Sequence, residues 1–339
     1  MYKPVKILIT GCAGFIGGHI TNYLVNKYPE INFVGLDILD YPSNMKNLKN
    51  CLNKHNFSFV EGSVTNLELM RFLTKDIDTI MHFAAQTHVD NSFGDSMEFT
   101  HTNVIGTHAL LECAKENKIS RFIHVSTDEV YGEIIGDAAT ENAMLNPTNP
   151  YAASKTGAEA LCYAYKTSFN LPIIITRSNN IFGTQQYPEK VIPKFINQLL
   201  KCEKITIHGK GDSIRNFLHV SQLAKAFELI LFEGKIGEIY NIGTDYNISV
   251  KELSKLIFDK LQEIVKEYPD LFTEEQIGYI LKNKFENVVI FIEDRPFNDA
   301  IYKINFDKIK ELGWVNDSKS FEEELYEIIK WYCKNMNYW

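Results

Sequence analysis

A chain of 339 residues with 45% hydrophobic and 12% aromatic content has enough apolar material for a full core and reads as globular throughout. Its formal charge of −8, with the basic residues scattered, argues against a nucleic-acid face and against a membrane-surface patch. No apolar run approaches membrane-spanning length and the first strand pattern starts within a few residues of Met1, so a cytoplasmic protein with no leader or membrane anchor is expected. From Lys6, short β-branched runs alternate with helical patterns: KILIT, then Ile16, Ile20, Tyr23 and Leu24 at helical spacing, then NFVGLD, FSFV, DTIMHFAA and RFIHVST. Alternation of this kind predicts parallel strands joined by right-handed crossovers, and continuous rather than alternating apolar runs predict helices on both faces. The expected fold is therefore α/β, a doubly wound parallel sheet. A further helix is predicted after Asn149-Pro150, where proline suits the first turn, followed by a strand over Leu171–Arg177. Beyond Asn179 the pattern loosens through a long loop at Gln185 to Pro193 and a turn at Gly209-Lys210-Gly211. Residues 179–339 are expected to form a smaller α/β lobe, interleaved with the first domain (1–178) through returning segments near 214–243. Met70, Met81 and Phe195 read as core. The six cysteines lie far apart with no CxxC spacing and read as buried free thiols.

The segment GCAGFIGG places Gly11, Gly14 and Gly17 after a strand and before an amphipathic helix. Gly11 permits a tight turn, Gly14 lets the backbone approach a pyrophosphate, and Gly17 permits close helix packing; the helix N-terminus supplies free amides. Asp37 follows Gly17 by 20 residues and ends the second strand, where a carboxylate accepts both adenosine ribose hydroxyls. No Arg or Lys lies between Asp37 and Lys46, so a 2′-phosphate would meet negative charge, and NAD is expected rather than NADP. The nine histidines show no ligand spacing, and no metal is expected.

Strand RFIHVST runs into Asp128-Glu129-Val130-Tyr131-Gly132, placing Thr127, Asp128 and Glu129 at the carboxyl end of a central parallel strand, where open α/β sheets bind ligands. Downstream, PYAASK places Tyr151 and Lys155 on one helical face. The same spacing recurs at Tyr2/Lys6, Tyr23/Lys27 and Tyr326/Lys330, so the position after the STDE strand is what distinguishes this copy. There the charge of Lys155 is expected to lower the Tyr151 phenol from about 10 towards neutrality and make it a base.

With these motifs in view, the chain resembles the extended short-chain dehydrogenases and, within them, the NDP-glucose 4,6-dehydratases. GCAGFIGG, HFAAQTHVDNS, STDEVYG, NPYAASK, TRSNNIFG, PEKVIPKFI, IRNFLHV, YNIGT and RPFND occur in that order over essentially the whole length. The resemblance implies that Tyr151, assisted by Thr127, removes the O4 proton of a nucleoside-diphosphate glucose while NAD takes hydride from C4. It further implies that Glu129 then removes the C5 proton and protonated Asp128 delivers a proton to the departing C6 hydroxyl. Hydride returns to C6, so NAD is recycled and stays tightly bound. By the same resemblance the cofactor is held by Gly11, Gly14, Phe15, Ile16, Gly17, Asp37, Ser63, Val64, Phe83, Ala84, Ala85, Thr102, Ser126, Tyr151, Lys155 and Ser178. Ser63 stands where the family usually has an adenine-contacting Asp. The substrate is met by His88, Thr127, Asn180, Lys190, Val191, Arg215, Arg295 and Asn298, the two arginines on its diphosphate.

TIMHFAAQTHVDNSFG and RPFND look most like the dehydratase domain of plant UDP-rhamnose synthases, and Asn298 stands where bacterial dTDP-glucose enzymes typically carry His. UDP-glucose is thus expected ahead of dTDP-glucose, on the way to rhamnose or another deoxysugar, with a separate downstream epimerase and reductase. The family also suggests a homodimer through two long helices. The competing readings are an NDP-sugar 4-epimerase or decarboxylase, against which Asp128 and Glu129 argue, and a non-catalytic NAD-binding scaffold.

Overall fold

The structure, a computed structural model, describes residues 2–294, 299 and 301–339. Its strands are β1 (Lys6–Thr10), β2 (Asn32–Asp37), β3 (Phe57–Glu61), β4 (Thr79–His82), β5 (Arg121–Thr127), β6 (Ile173–Ser178), β7 (Asn180–Phe182), β8 (Ile205–His208), β9 (Ile214–His219), β10 (Ile239–Ile242), β11 (Asn247–Ser249) and β12 (Val289–Ile292). Seven of them form one parallel sheet in the order β10-β6-β5-β4-β1-β2-β3. Chain order reverses between β1 and β4, which leaves a crevice beyond their carboxyl ends. Ile7, Leu8 and Ile9 are all fully buried, because helices cover both faces and no side of the strand meets water. One face packs Leu8, Leu36, Ile80 and Phe122 against Leu110, Leu111 and Cys162 of the helices Gly106–Glu116 and Pro150–Phe169.

Two compact units make up the chain. The first comprises Met1–Asn179, Val220–Gly243 and Lys303–Asn316; the second comprises Asn180–His219, Thr244–Tyr302 and Asp317–Trp339. The stretch near 214–243, within which returning segments were expected, divides between them: β9 pairs with β7 and β11, whereas helix Val220–Glu233 and β10 belong with the first unit. The second unit holds the three-stranded sheet β11-β9-β7, the pair β12-β8, and a core of its own in which Phe195 lies with Leu261, Ile264 and Leu325. The loop expected to reach Pro193 ends earlier, because proline is tolerated in the first turn of helix Val191–Leu200. Met70 and Met81 are fully buried, and all six cysteines are unpaired.

Within the first unit, a buried polar network crosses from β6 to three other elements. Arg177 Nε and a terminal nitrogen both reach the Glu159 carboxylate, at 2.6–3.2 Å, and the two side chains are each about 4% exposed. The remaining terminal nitrogen donates to Tyr131 Oη at 2.7 Å and to the Glu141 carbonyl at 3.2 Å. Tyr131 Oη in turn donates to Asn241 Oδ1 at 2.8 Å. A buried guanidinium is tolerable here because all three of its nitrogens are engaged and its charge is paired. Glu159→Ala should therefore lower unfolding stability by about 3–5 kcal/mol, and pairing it with Arg177→Met should recover most of that loss. Urea unfolding of the two variants decides; a single variant as stable as the double would show that the pair is not holding the fold.

Candidate active site

The turn after β1 is set by glycines for identifiable reasons. Gly11 sits at φ +70°, and a Cβ there would stand 2.6 Å from the Ala84 amide nitrogen. A Cβ on Gly17 would lie 2.0 Å from the Gly11 carbonyl oxygen, so this helix can approach its own turn only without a side chain. Gly14 meets nothing closer than 3.4 Å, which leaves its outer side open to a ligand. It is also the N-cap of helix Phe15–Lys27, which has no side-chain cap and no acid in its first turn. Uncapped amides and a positive dipole end fit a pyrophosphate. Asp37, buried at the end of β2, accepts the Ala13 amide at 2.8 Å and the Leu39 amide at 2.9 Å on separate oxygens. An acceptor-only group fixed in this way fits a ribose diol. Ser126 Oγ, near the end of β5, is buried with no hydrogen-bond partner among the described residues, a further polar atom suited to a ligand.

At the β5 carboxyl end, Thr127 caps a short 3-10 turn over Asp128–Tyr131 and accepts the Glu129 amide at 3.3 Å. Gly132 closes the turn at φ +69°, where a Cβ would strike the Asn146 carbonyl at 2.2 Å. Two amide side chains hold the two carboxylates. Asn179 Nδ2 donates to Asp128 Oδ2 at 2.8 Å, and Asn149 Nδ2 donates to Glu129 Oε2 at 3.1 Å. Asn149 Oδ1 also accepts the Ala152 amide at 2.8 Å, so one residue both starts helix Pro150–Phe169 and anchors Glu129.

That helix carries Tyr151 and Lys155, both buried. Burial pushes the Tyr151 phenol up, the charges of Glu129 and Asp128 push it further, and a hydrogen bond with Thr127 opposes them. This corrects the expectation that Lys155 lowers the phenol. Lys155 Nζ donates to the Val125 carbonyl at 2.5 Å, and burial pulls the ammonium down to about 8 against the raising influence of Glu159 and Cys162. Neighbouring His82 is pushed down to about 3 by burial and the Lys155 charge, with Thr10 Oγ1 at 2.7 Å and Thr107 Oγ1 at 3.0 Å on its ring nitrogens.

The remaining expected residues fall as follows. Phe83, Ala84 and Ala85 follow β4 against the Gly11 turn, the Phe83 amide bonding to the Thr10 carbonyl at 3.1 Å. Phe15 and Ile16 open the first helix, half-buried. Ser63 Oγ pairs with Thr65 Oγ1 at 2.8 Å beyond β3, and the Val64 side chain lies in the core. Ser178 ends β6 opposite Thr127. Thr102 sits in a π-helical segment and bonds to Glu98 at 2.8 Å. His88 caps helix Val89–Gly94, with Nε2 at 3.8 Å from Asp90 Oδ2. In the second unit, Asn180 starts β7, Lys190 is the N-cap of the helix that Val191 begins, and Arg215 donates to the Ile214 and Asp299 carbonyls at 2.8 and 3.0 Å. Arg295 and Asn298 lie outside the described residues. Among the described residues no group of three or more His, Cys, Asp or Glu could hold a metal ion, and no helix is long and apolar enough to cross a membrane.

Sequence reasoning missed Asn103, Asn149, Asn179 and Glu159. Asn103, buried inside a helix, bonds both the amide and the carbonyl of Gln86, at 2.8 and 3.0 Å, and reaches Ser154 Oγ at 2.9 Å. It thereby ties the loop after β4 to the helix of Tyr151. A poor helix former within a helical run was the available signal.

Comparison with known proteins places this geometry. Residues 8–328 match the sequence family described as GDP-mannose 4,6 dehydratase. The whole chain is 46% identical over 344 residues to an Arabidopsis thaliana trifunctional UDP-glucose 4,6-dehydratase/UDP-4-keto-6-deoxy-D-glucose 3,5-epimerase/UDP-4-keto-L-rhamnose-reductase, and it spans 48% of that protein's length. It is 44% identical to a dTDP-D-glucose 4,6-dehydratase of Dictyostelium discoideum, covering 98% of this chain and 83% of the relative. A crystal structure of a dTDP-glucose 4,6-dehydratase from Streptomyces venezuelae with NAD bound superimposes with a TM-score of 0.89 at 34% identity, over 99% of both chains.

The depressed Lys155 carries a sign that can be measured. Below about 8 the ammonium is charged folded and unfolded, and its burial is destabilising; between about 8 and 10.5 the unfolded chain binds the extra proton, so this residue's contribution to stability rises with pH. The stability difference between the parent protein and Lys155→Met should shift in the parent's favour by about 2 kcal/mol from about pH 7.5 to about 9.5. A difference that stays flat in urea unfolding would mean that the ammonium is solvated.

Proposed function

The chain belongs to the GDP-mannose 4,6-dehydratase family, within the extended short-chain dehydrogenases, and on that premise we propose that it is an NAD-dependent NDP-glucose 4,6-dehydratase acting on UDP-glucose. The observation that carries the reading is the pair Asp128 and Glu129 at the end of β5, each held by its own amide beside Tyr151. C4 epimerisation needs a hydroxyl base alone, whereas elimination needs a second base and an acid.

NAD, when bound, supplies the hydride acceptor for sugar C4 and the donor back to C6. The protein's part is proton handling. Tyr151 takes the O4 proton as its phenolate, with Thr127 hydrogen-bonded to the phenol oxygen. The resulting 4-ketone acidifies C5. Glu129 takes the C5 proton, the C5–H electron pair forms the C5–C6 double bond, and the C6–O bond breaks as Asp128 gives its proton to the leaving oxygen. Water departs, Glu129 returns its proton to C5, and loss of the proton from Tyr151 balances reprotonation of Asp128, which resets the site. Substrate and product differ by one water with no net oxidation.

We assign the diphosphate and nucleotide contacts to Asn180, Lys190, Val191 and Arg215, with Arg215 already fixed by two carbonyls. The choice of uracil draws on the Arabidopsis relative, which is named for UDP-glucose. That relative is also named for 3,5-epimerase and reductase activities, and this chain aligns with about half of it, so we assign any epimerase and reductase steps that follow to sites other than this one. A cytoplasmic homodimer through helices Gly106–Glu116 and Pro150–Phe169 completes the proposal, supported by the exposed apolar side chains Ile105, Tyr163 and Phe169.

Incubation with UDP-glucose and, separately, dTDP-glucose in deuterated buffer, followed by mass spectrometry, tests this. The expected product has lost one water and gained deuterium at C5, faster from the uridine nucleotide. A C4 epimer without water loss would establish the epimerase instead, and bound nucleotide with no product would establish the scaffold. Glu129→Gln should cut dehydration on the order of 100-fold or more.

A further inference from the structure

Asn179 is held from two sides within the first unit. Its backbone amide donates to the Ile242 carbonyl at 3.1 Å, at the end of the returning strand β10, whose Ile242 stands opposite Ser178. Its side-chain oxygen faces Gly243, where an added Cβ would lie only 2.5 Å away. The YNIGT motif therefore leaves a space that the Asn179 amide fills, with the oxygen towards glycine and the nitrogen towards Asp128 Oδ2 at 2.8 Å. Turning the amide over would set its oxygen against a carboxylate, so the donor end is fixed. The other carboxylate oxygen, Oδ1, accepts from the Thr127 hydroxyl at 3.3 Å, a rotor that turns to accept once Oδ1 carries a proton, whereas the Asn179 N–H can only donate; Thr127 is also hydrogen-bonded to Tyr151.

We propose that Asn179 is a positioning residue for the elimination step: its N–H holds Asp128 Oδ2 as the carbonyl oxygen, so that Oδ1 carries the proton delivered to the departing sugar hydroxyl. This rests on the dehydratase reading of Asp128. A carbonyl oxygen is the better acceptor of a carboxylic acid, so an amide donor selects which oxygen is protonated. When the O–H bond at Oδ1 breaks and the C6–O bond breaks with its electron pair on oxygen, the carboxylate left behind keeps the Asn179 donor, which stabilises its charge. The titratable neighbours of Asp128 include Glu129 on its own turn and Tyr151 on helix Pro150–Phe169, and the test leaves both in place.

The variants are Asn179→Ala, which removes the donor, and the isosteric Asn179→Asp, which keeps the fold if alanine does not. Two readouts are taken: the pH–rate profile for water loss from the nucleotide-glucose turned over faster, and a carbon-13 titration of labelled aspartate carboxyls, with Asp128 assigned by the signal missing in Asp128→Asn. Without the donor, the Asp128 carboxyl and the alkaline limb of the rate profile should both move up by about one pH unit, more for Asn179→Asp, where two carboxyls share a proton. The plateau kcat should fall on the order of 10-fold while KM stays within about 2-fold. An unmoved carboxyl signal overturns the role of Asn179 and leaves Asp128 as the acid. A carboxyl signal that moves while the rate limb stays put overturns the proposal from the other side, because Asp128 is then not the acid of elimination.

Discussion

The paired charge of Arg177 and Glu159 is the constraint from which the geometry of the first unit follows. Desolvating a guanidinium is costly unless its charge is paired and its nitrogens engaged, and engaging them draws four pieces of chain to one point. Glu159 fixes helix Pro150–Phe169, Tyr131 fixes the turn after β5, Glu141 fixes the loop between them, and Asn241, through Tyr131, fixes β10. Glu159 lies one helical turn beyond Lys155, and Tyr131 lies two residues beyond Glu129. The structural pair and the chemical residues thus share their elements, and the turn that carries the carboxylates cannot drift from the helix that carries the phenol without breaking the buried hydrogen bond from Arg177 to Tyr131.

A second constraint acts at the centre of the sheet. With β1 and β4 adjacent and the strand order reversing between them, the turn after β1 and the segment after β4 must pass each other closely. They do so at backbone distance, because Gly11 has no Cβ to meet Ala84. The same closeness brings the uncapped helix at Gly14 and the end of β4 to one edge, and Asp37 arrives there because β2 is the neighbour of β1. Cofactor positioning is in this sense a property of strand order, with a few side chains added.

Much of this was legible in the sequence because it depends on local patterns. Continuous apolar runs mark two-sided burial, glycine spacing marks the turn, and Asp-Glu after a strand marks the carboxyl edge. What escaped depends on contacts between residues far apart in the chain. Asn179 and Asp128 are separated by 51 positions, and Asn103 meets Gln86 across 17. An amide looks the same in sequence whether it faces water or grips a carboxylate. The effect of Lys155 on Tyr151 was misjudged for a related reason: the helical spacing was right, but desolvation and two nearby carboxylates outweigh one ammonium that is itself depressed and bonded to Val125. The interleaving of the units was read one segment short, since nothing local in Lys303–Asn316 shows that it rejoins the first.

The raised phenol bears on the order of proton transfers. Glu129 and Asp128 both oppose a negative Tyr151, so with both ionised the site resists forming the phenolate that sugar oxidation requires. Protonating Asp128 removes one of those charges. On the proposed mechanism, the state in which Tyr151 would accept the O4 proton most readily is then the state in which Asp128 would hold the proton needed later for the leaving hydroxyl. Asn179 works against excess protonation by favouring the carboxylate, and Thr127 lies between the two groups, bonded to the phenol and 3.3 Å from Oδ1. On the proposed mechanism, one acid would thereby serve both halves of the reaction: neutral, it would permit oxidation, and by giving up its proton it would complete elimination. A protein that only epimerises would gain nothing from the second of these, which on the same reading is the physical reason for the Asp-Glu pair here.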